Sequence, residues 1–342
     1  MKSAFGNVLL VVSFLLQVCS AHAAQDILTV TPEDNHEQIN SAVDKAQSSI
    51  EMVMFHLSDL ESVDHLIAAQ KRGVQVRIIL DEKLVQKGSA AQIKDHLVAE
   101  GVDVRSSPPG FSITHEKAMV IDKKTALISS INLTRNGAFT RDFGIFTSDT
   151  GVINEMGSVF ESDWSNSSMQ LMPPTPQLSN EKLAWSPVNS KEKILALLDS
   201  AKKSISLEVE NLGSVEVIAM LQKKSREGIA VTVLVPLCVE GGMDQKRNVP
   251  FLKDLAASGV KALAAVSPYT AENPYIHAKA IVVDSQAVFV GSENLSHNSL
   301  DLARELGIIE RQPDITAKVE SIIKADFRRG ISGGALDSAS CN

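Results

Sequence analysis

One stretch of this chain occurs twice, and its spacing leaves little freedom in how the chain can fold. The first copy runs His115-Glu-Lys117, four residues, Asp122, six residues, Ser129-Ser130-Ile-Asn132. The second runs His277-Ala-Lys279, four residues, Asp284, six residues, Gly291-Ser292-Glu-Asn294. Every matching pair stands 162 positions apart, His277 from His115 and Asn294 from Asn132 alike. A single His-x-Lys carries little meaning; two copies agreeing at this many positions carry a great deal.

The spacing makes chemical sense. Residues 117–121 and 279–283 are apolar and rich in β-branched side chains, so each reads as a buried strand. Alternation along a strand puts His115 and Lys117 on one face, and His277 and Lys279 likewise. An imidazole beside a fixed cation can attack, or donate a proton to, a group that carries negative charge. Asp122 lies at an odd offset from His115 and faces away. We therefore read Asp122, and Asp284 with it, as structural, tying the turn to the next strand.

The paired motif resembles the HKD signature of the phospholipase D superfamily, in which two such motifs build one phosphodiesterase site. The resemblance covers nearly all of the chain beyond its first two dozen residues. It implies catalytic roles for His115, Lys117, Asn132, His277, Lys279 and Asn294, and contact with substrate for Ser130 and Ser292. It also implies an acidic residue past each Asn, bonded to a catalytic histidine. The matching positions are Asp142 and Glu305. Two departures stand out: Ser129 where Gly is usual, and Asp142 where Glu is more common. Neither removes a reacting group.

Residues 1–24 read as a cleaved signal peptide, with Lys2 ahead of an apolar run and Ala21-His22-Ala23 as a small-x-small site. Secretion or a periplasmic location is therefore expected. Loss of Lys2 takes the net charge from −8 to −9. An acidic chain is not built for indiscriminate capture of polyanions, which argues against duplex nucleic acid. Of the three cysteines, Cys238 and Cys341 remain. They can pair in an oxidising compartment, and the sequence leaves their proximity open. The 44% apolar composition suffices for a core without a disulfide framework.

From Pro32 onward the pattern alternates. Helices are expected over 36–47, 62–72 and 90–100, strands over 49–55, 74–80 and 102–105, and a final helix through Trp164. The second half repeats this plan, with Ser204-Ile205 matching Ser49-Ile50 at an offset of 155. That offset then grows to 162, which places extra chain around 238–248 and 267–275. Residues 166–187, rich in Pro, Ser and Asn, read as a linker between a first half at 25–165 and a second at 188–342. The expected fold is α/β: a duplicated phospholipase D-like α-β-α sandwich with pseudo-two-fold symmetry and the active site between the halves.

His36, His56, His65 and His96 have no partner at ligand spacing and read as ordinary structural histidines, and His297 as a helix-start or surface residue. No metal site and no cofactor is expected. Glu208 and Glu210 share a face of one strand, which puts them either at a solvated strand end or in the cleft. Phe111, Tyr269 and Tyr275 sit in loops leading into the motifs, where they can grip substrate or pack the loop. Lys123, Lys124 and Arg304, with the motif lysines, outline a conceivable basic groove.

The preferred function at this level is hydrolysis of phospholipid headgroup diesters through a phosphohistidine. The family resemblance favours His115 as nucleophile and His277 as acid and base. A nuclease cutting single-stranded DNA or RNA is the alternative. Phosphatidyl transfer ranks below both, because the chain past residue 24 holds no membrane span, and an inactive binding module ranks last. The expected partner is a phospholipid, with transient membrane-surface contact and a monomeric protein.

Overall fold

The computed structural model describes residues 25–240 and 244–341; the expected signal peptide lies outside the described residues. The first half holds β1 (Ile27–Thr31), α1 (Glu37–Lys45), β2 (Ser49–Met54), α2 (Leu60–Lys71), β3 (Gln75–Leu80), α3 (Gly88–Ala99), β4 (Asp103–Ser106), β5 (Lys117–Ile121), β6 (Thr125–Ser129), β7 (Thr140–Thr147) and α4 (Thr150–Met169). The second begins with β8 (Leu183–Ser186), α5 (Ser190–Asp199), β9 (Ser204–Val209), α6 (Val215–Arg226), β10 (Ala230–Pro236), α7 (Val249–Ala257) and β11 (Lys261–Ala265). It continues with β12 (Tyr275–Ile276), β13 (Lys279–Val283), β14 (Ala287–Gly291), α8 (His297–Asp301), β15 (Glu305–Glu310), α9 (Pro313–Phe327) and α10 (Ala335–Ser338). The stretch read as a linker begins inside α4 and ends one residue past β8; within it, 170–182 and 187 carry no helix or strand.

Strand order makes the duplication visible. One sheet runs β1-β7-β6-β5-β2-β3-β4, the other β8-β15-β14-β13-β9-β10-β11, so each strand has its counterpart in the same place. The strands β2, β3 and β4 are parallel and joined by helices, as are β9, β10 and β11. Local signals set these units. Asp59 and Ser214 cap α2 and α6 through their side chains, and Gly73 and Gly228 follow those helices with φ of 92° and 86°.

Alternation along the central strands sorts their side chains into layers. Ala118, Val120, Ala280 and Val282 join one core between the sheets, to which α4 and α9 also contribute. Met119 and Ile121 instead pack outward with α1, α2 and α3, and Ile281 and Val283 with α5, α6 and α7. The result is a layered α/β sandwich of two related halves. The strands β1 and β8 had no counterpart in the sequence reading. They complete the antiparallel side of each sheet against β7 and β15.

The halves interlock by a reciprocal exchange. The backbone N–H of His277 donates to the carbonyl of Arg141 at 3.2 Å, and that of His115 to the carbonyl of Arg304 at 2.9 Å. Both arginine side chains then cross the interface. Arg304 forms a two-pronged pair with Asp163 of α4 at 2.9 and 3.0 Å. Arg141 reaches Asp326 of α9 at 2.7 Å and also bonds Glu33 and the carbonyl of Thr31. Arg304 is 2% exposed and stacked between Phe111 and Trp185, which removes it from any basic groove. Lys123 and Lys124 sit in the turn after β5, at the strand's opposite end from Lys117, so the groove does not form.

The motif aspartates act beneath the site. Asp122 accepts the backbone N–H groups of Gln47, Ser48 and Ser49 and the Ser48 hydroxyl, at 2.7–3.1 Å. It thus ties the β5 turn to the start of β2, not to the next strand. Asp284 does the same for Lys202, Lys203 and Ser204 ahead of β9. These backbone bonds hold the Asp122 and Asp284 carboxyls below the usual range, against the opposing effect of burial. Cys238 and Cys341 form a disulfide that ties the loop after β10 to the C-terminal end.

Two outcomes follow for denaturant titrations. Asp163→Ala leaves the Arg304 cation buried without its partner and is expected to cost about 3–5 kcal/mol; a loss below 1 kcal/mol would mean the pair is not structural. Asp122→Ala is expected to cost about 1–2 kcal/mol through lost backbone caps while turnover per folded molecule stays unchanged. A collapse of turnover at unchanged stability would place Asp122 in the chemistry.

Candidate active site

Both motifs open on one cleft of about 1170 Å³, lined by His115, His277, Asn132, Asn294, Asp142 and Glu305 among others. The strands β5 and β13 run side by side with β2 and β9 and deliver each His and Lys at the strand end. The carboxylates cross over: Glu305 of the second half takes Nδ1 of His115 at 2.8 Å, and Asp142 of the first half takes Nδ1 of His277 at 2.8 Å. Each imidazole is therefore oriented by the half to which it does not belong, and its Nε2 is left for chemistry.

The two rings meet different surroundings. Burial, reinforced by the Lys117 and Lys279 charges, pulls His115 well below its ordinary range. Burial pushes Glu305 up to about 7, while Lys117 and the hydroxyls of Ser299 and Ser292 pull the other way. The interior thus keeps His115 neutral, with its lone pair on Nε2. His277 is flanked differently. Its Nε2 lies 3.2 Å from Lys279 Nζ, 3.4 Å from Asn132 Nδ2 and 3.8 Å from Glu210 Oε2.

Both motif lysines are 1% exposed and stand behind the imidazoles. Each ammonium donates to the carbonyl of its own histidine at 2.5 Å. Lys117 also lies 4.8 Å from the Phe55 ring centre. Burial first, then the Lys279 charge, draws Lys117 down to about 7. Neither lysine is among the residues that line the cleft; an anion bound close to Lys117 would hold the proton on it.

The serines expected to contact substrate are not among the residues that line the cleft. Ser130 and Ser292 are fully buried, and their hydroxyls accept from the backbone N–H of Phe143 and Leu306 at 3.1 Å. They pin the loop carrying each Asn to the next strand, which leaves no hydroxyl for a ligand. Ser129 fits where Gly is usual because its hydroxyl donates to the Lys117 carbonyl at 3.0 Å. At the matching Gly291, a Cβ would come within 2.5 Å of the Gly307 Cα, so only glycine fits there.

Of the remaining residues, Glu210 lines the cleft, whereas Glu208 is buried on the same face of β9 with Asp326 and Arg141 as its charged neighbours. Tyr275 donates to Glu210, Tyr269 packs edge-on against Tyr275, and Phe111 packs on Arg304. His56, read as an ordinary structural histidine, also lines the cleft, beside Phe55. The other histidines bond to neighbouring carboxylates or lie on surface turns: His36 to Asp59, His65 to Asp44, His297 to Asp301, with His96 in the last turn of α3. A signal for Phe55 and Glu210 was present in the sequence. They occupy one repeat position, 155 residues apart, immediately after β2 and β9.

The family described as "Cardiolipin synthase, PLD-like domain" matches residues 39–164 and 194–327, which include both motifs. Among curated proteins, cardiolipin synthase A of Pectobacterium carotovorum is 24% identical, over 87% of this chain and 70% of its own length. Cardiolipin synthase A of Proteus mirabilis is 22% identical, over 88% and 68%. Phosphatidylserine synthase of Haemophilus influenzae shares the fold with a TM-score of 0.70 at 13% identity, covering 92% of this chain and 89% of that one. Polyphosphate kinase of Porphyromonas gingivalis does so at 0.67 and 17%, covering 89% of this chain and 47% of its own.

These findings correct the expected function. The relatives are named as synthases, which overturns headgroup hydrolysis and, with it, the picture of a secreted or periplasmic lipid-degrading hydrolase. The single-stranded nucleic acid alternative gains no support from them.

The lysine chemistry gives a pH test. Lys117 loses its proton as pH rises through about 7 in the free enzyme, so kcat/KM is expected to fall above that pH. The limb in kcat should lie higher, because bound phosphate holds the proton on. A kcat/KM flat from pH 7 to pH 9 would contradict this role for Lys117.

Proposed function

The chain belongs to the cardiolipin synthase PLD-like family, within the phospholipase D superfamily of enzymes, and from that premise we propose that it transfers a phosphatidyl group from a phospholipid to an alcohol. Cardiolipin is a glycerol bearing two phosphatidyl groups, so its synthesis moves such a group onto a hydroxyl. The observation that supports this reading is a family match over both halves, joined to two half-sites whose His and Asn line one cleft, with a Lys buried behind each His.

In this reading His115, neutral and held by Glu305, attacks phosphorus through Nε2. The bond to the headgroup oxygen breaks, and His277 gives that oxygen a proton. The phosphatidyl group is then carried on His115. An acceptor alcohol enters beside His277, which takes the hydroxyl proton as the oxygen attacks phosphorus. The phosphorus–nitrogen bond breaks with its electron pair returning to His115. Lys117 and Lys279 neutralise the non-bridging oxygens, and Asn132 and Asn294 fix the geometry. Losing one such charge-stabilising donor typically costs about 3 kcal/mol of transition-state stabilisation. Splitting the displacement suits a poor electrophile. The choice between acceptors sits wholly in the second step.

The test supplies vesicles of phosphorus-labelled phosphatidylglycerol with and without added glycerol. Wild type is expected to form a lipid with two phosphatidyl groups and to exchange its headgroup with free glycerol, with phosphatidic acid a minor product. Under rapid quench with a donor whose leaving group needs no proton, His277→Ala should accumulate acid-labile label on His115. Phosphatidic acid as the sole product at saturating glycerol would overturn the transfer reading, and label on His277 in His115→Ala would reverse the histidine roles.

A further inference from the structure

The two half-sites match in their His, Lys, Asp, Ser and Asn, yet the walls beside them differ. The residue after β2 is Phe55, whose ring packs edge-on against His115 with centres 4.5 Å apart. Its counterpart after β9 is Glu210, a nearly buried carboxylate that faces His277 and Lys279. One histidine thus sits against a benzene ring and the other beside an anion.

A carboxylate is an odd wall for a site that must hold a phosphodiester. Both are negative, and an interior strengthens their repulsion. Burial disfavours the charge on Glu210, but Lys279, His277 and the Tyr275 hydroxyl more than reverse this and hold it at about 2. The group is also firmly built in. Tyr275 donates to Oε1 at 2.9 Å and is itself bonded by the Glu240 backbone N–H at 3.0 Å.

Among the described residues the other oxygen, Oε2, has long contacts alone: Lys279 Nζ at 3.4 Å, Asn294 Nδ2 at 3.5 Å and His277 Nε2 at 3.8 Å. All exceed the usual range of a good hydrogen bond. An ionised oxygen on the wall of the cleft therefore has room for a short bond from a ligand. Lys279 already balances the charge, so what Oε2 offers is acceptor capacity more than net attraction for a cation. That suits a neutral hydroxyl.

We propose that Glu210 Oε2 is the alcohol subsite, where it accepts a hydrogen bond from a hydroxyl next to the reacting one and so selects vicinal diols as phosphatidyl acceptors. The inference rests on the transfer reading above. One hydroxyl of the diol gives its proton to His277 and attacks phosphorus. Its neighbour donates to Glu210 and keeps its proton. A monohydric alcohol or water can make only the first contact, and a buried acceptor left unpaired is what gives such a site its discrimination.

The experiment is an acceptor competition in one vessel. Enzyme and vesicles of a phosphatidyl p-nitrophenyl diester are mixed with equal glycerol and 1-propanol, and in a second arm with equal glycerol and ethanolamine. The ratio of the two lipid products is independent of how much enzyme is folded. Wild type is expected to favour glycerol over 1-propanol at least tenfold. In Glu210→Gln that preference should fall about threefold, and in Glu210→Ala it should vanish. Wild type with no preference for glycerol over 1-propanol overturns the subsite without recourse to any variant, as does an unchanged ratio in both variants. Ethanolamine outcompeting glycerol in wild type and losing that advantage in Glu210→Gln would make this a cation site instead. Release of p-nitrophenol with no alcohol adduct of any kind would defeat the transfer reading itself, a result distinct from adducts formed without selectivity.

Discussion

The structure turns on a reciprocal exchange at the boundary between its halves. Each motif histidine hangs by its backbone N–H from the arginine that precedes the other half's orienting carboxylate. The same arginines send their guanidinium groups across the boundary to Asp326 and Asp163. Backbone position, ring orientation and helix docking are thereby set by one short segment on each side. An ion pair of this kind adds little net stability, because desolvation cancels much of the attraction. Its contribution is uniqueness: few other registers of the two halves satisfy two buried arginines and two buried aspartates at once.

On that symmetric frame the surroundings of the two histidines are unequal. Two identical imidazoles would share one protonation state, whereas a double displacement needs one to attack and one to manage protons. The structure separates them by their surroundings alone. An aromatic wall, full burial and nearby ammonium groups suit His115 to remain neutral. His277 meets carboxylates at both ring nitrogens, Asp142 at 2.8 Å and Glu210 at 3.8 Å. A duplicated site can therefore give its two histidines unlike neighbours while keeping His, Lys and Asn in both copies.

How much of this was legible beforehand depends on the range of the interaction concerned. Strands, helix caps and the repeat are written in the sequence, and they announced the two-fold fold; that both His and both Asn would line one cleft followed from the family resemblance. The crossed pairing of Glu305 with His115 and of Asp142 with His277 joins positions far apart in the chain, and only tertiary packing reveals it. Ser130 and Ser292 misled because a hydroxyl near a site looks like a ligand group until its backbone partner is known. Arg304 misled for a similar reason, since a guanidinium in a sequence does not show the aspartate that claims it. Transfer and hydrolysis were indistinguishable because they share every step up to the covalent intermediate and part only over which hydroxyl arrives next.

The short strand β12 pairs with β7 at Thr140 and Arg141, so a piece of the second half is stitched into the first half's sheet. Its two-fold mate is the bridge between Thr114 and Arg304. With both seams closed, the halves cannot swing apart like jaws without breaking sheet hydrogen bonds on either side of the catalytic rings. The floor of the cleft therefore behaves as one rigid plate. Passage of a bulky ligand falls to the rim, where residues 266–274 and the described residues of 237–248 carry no strand.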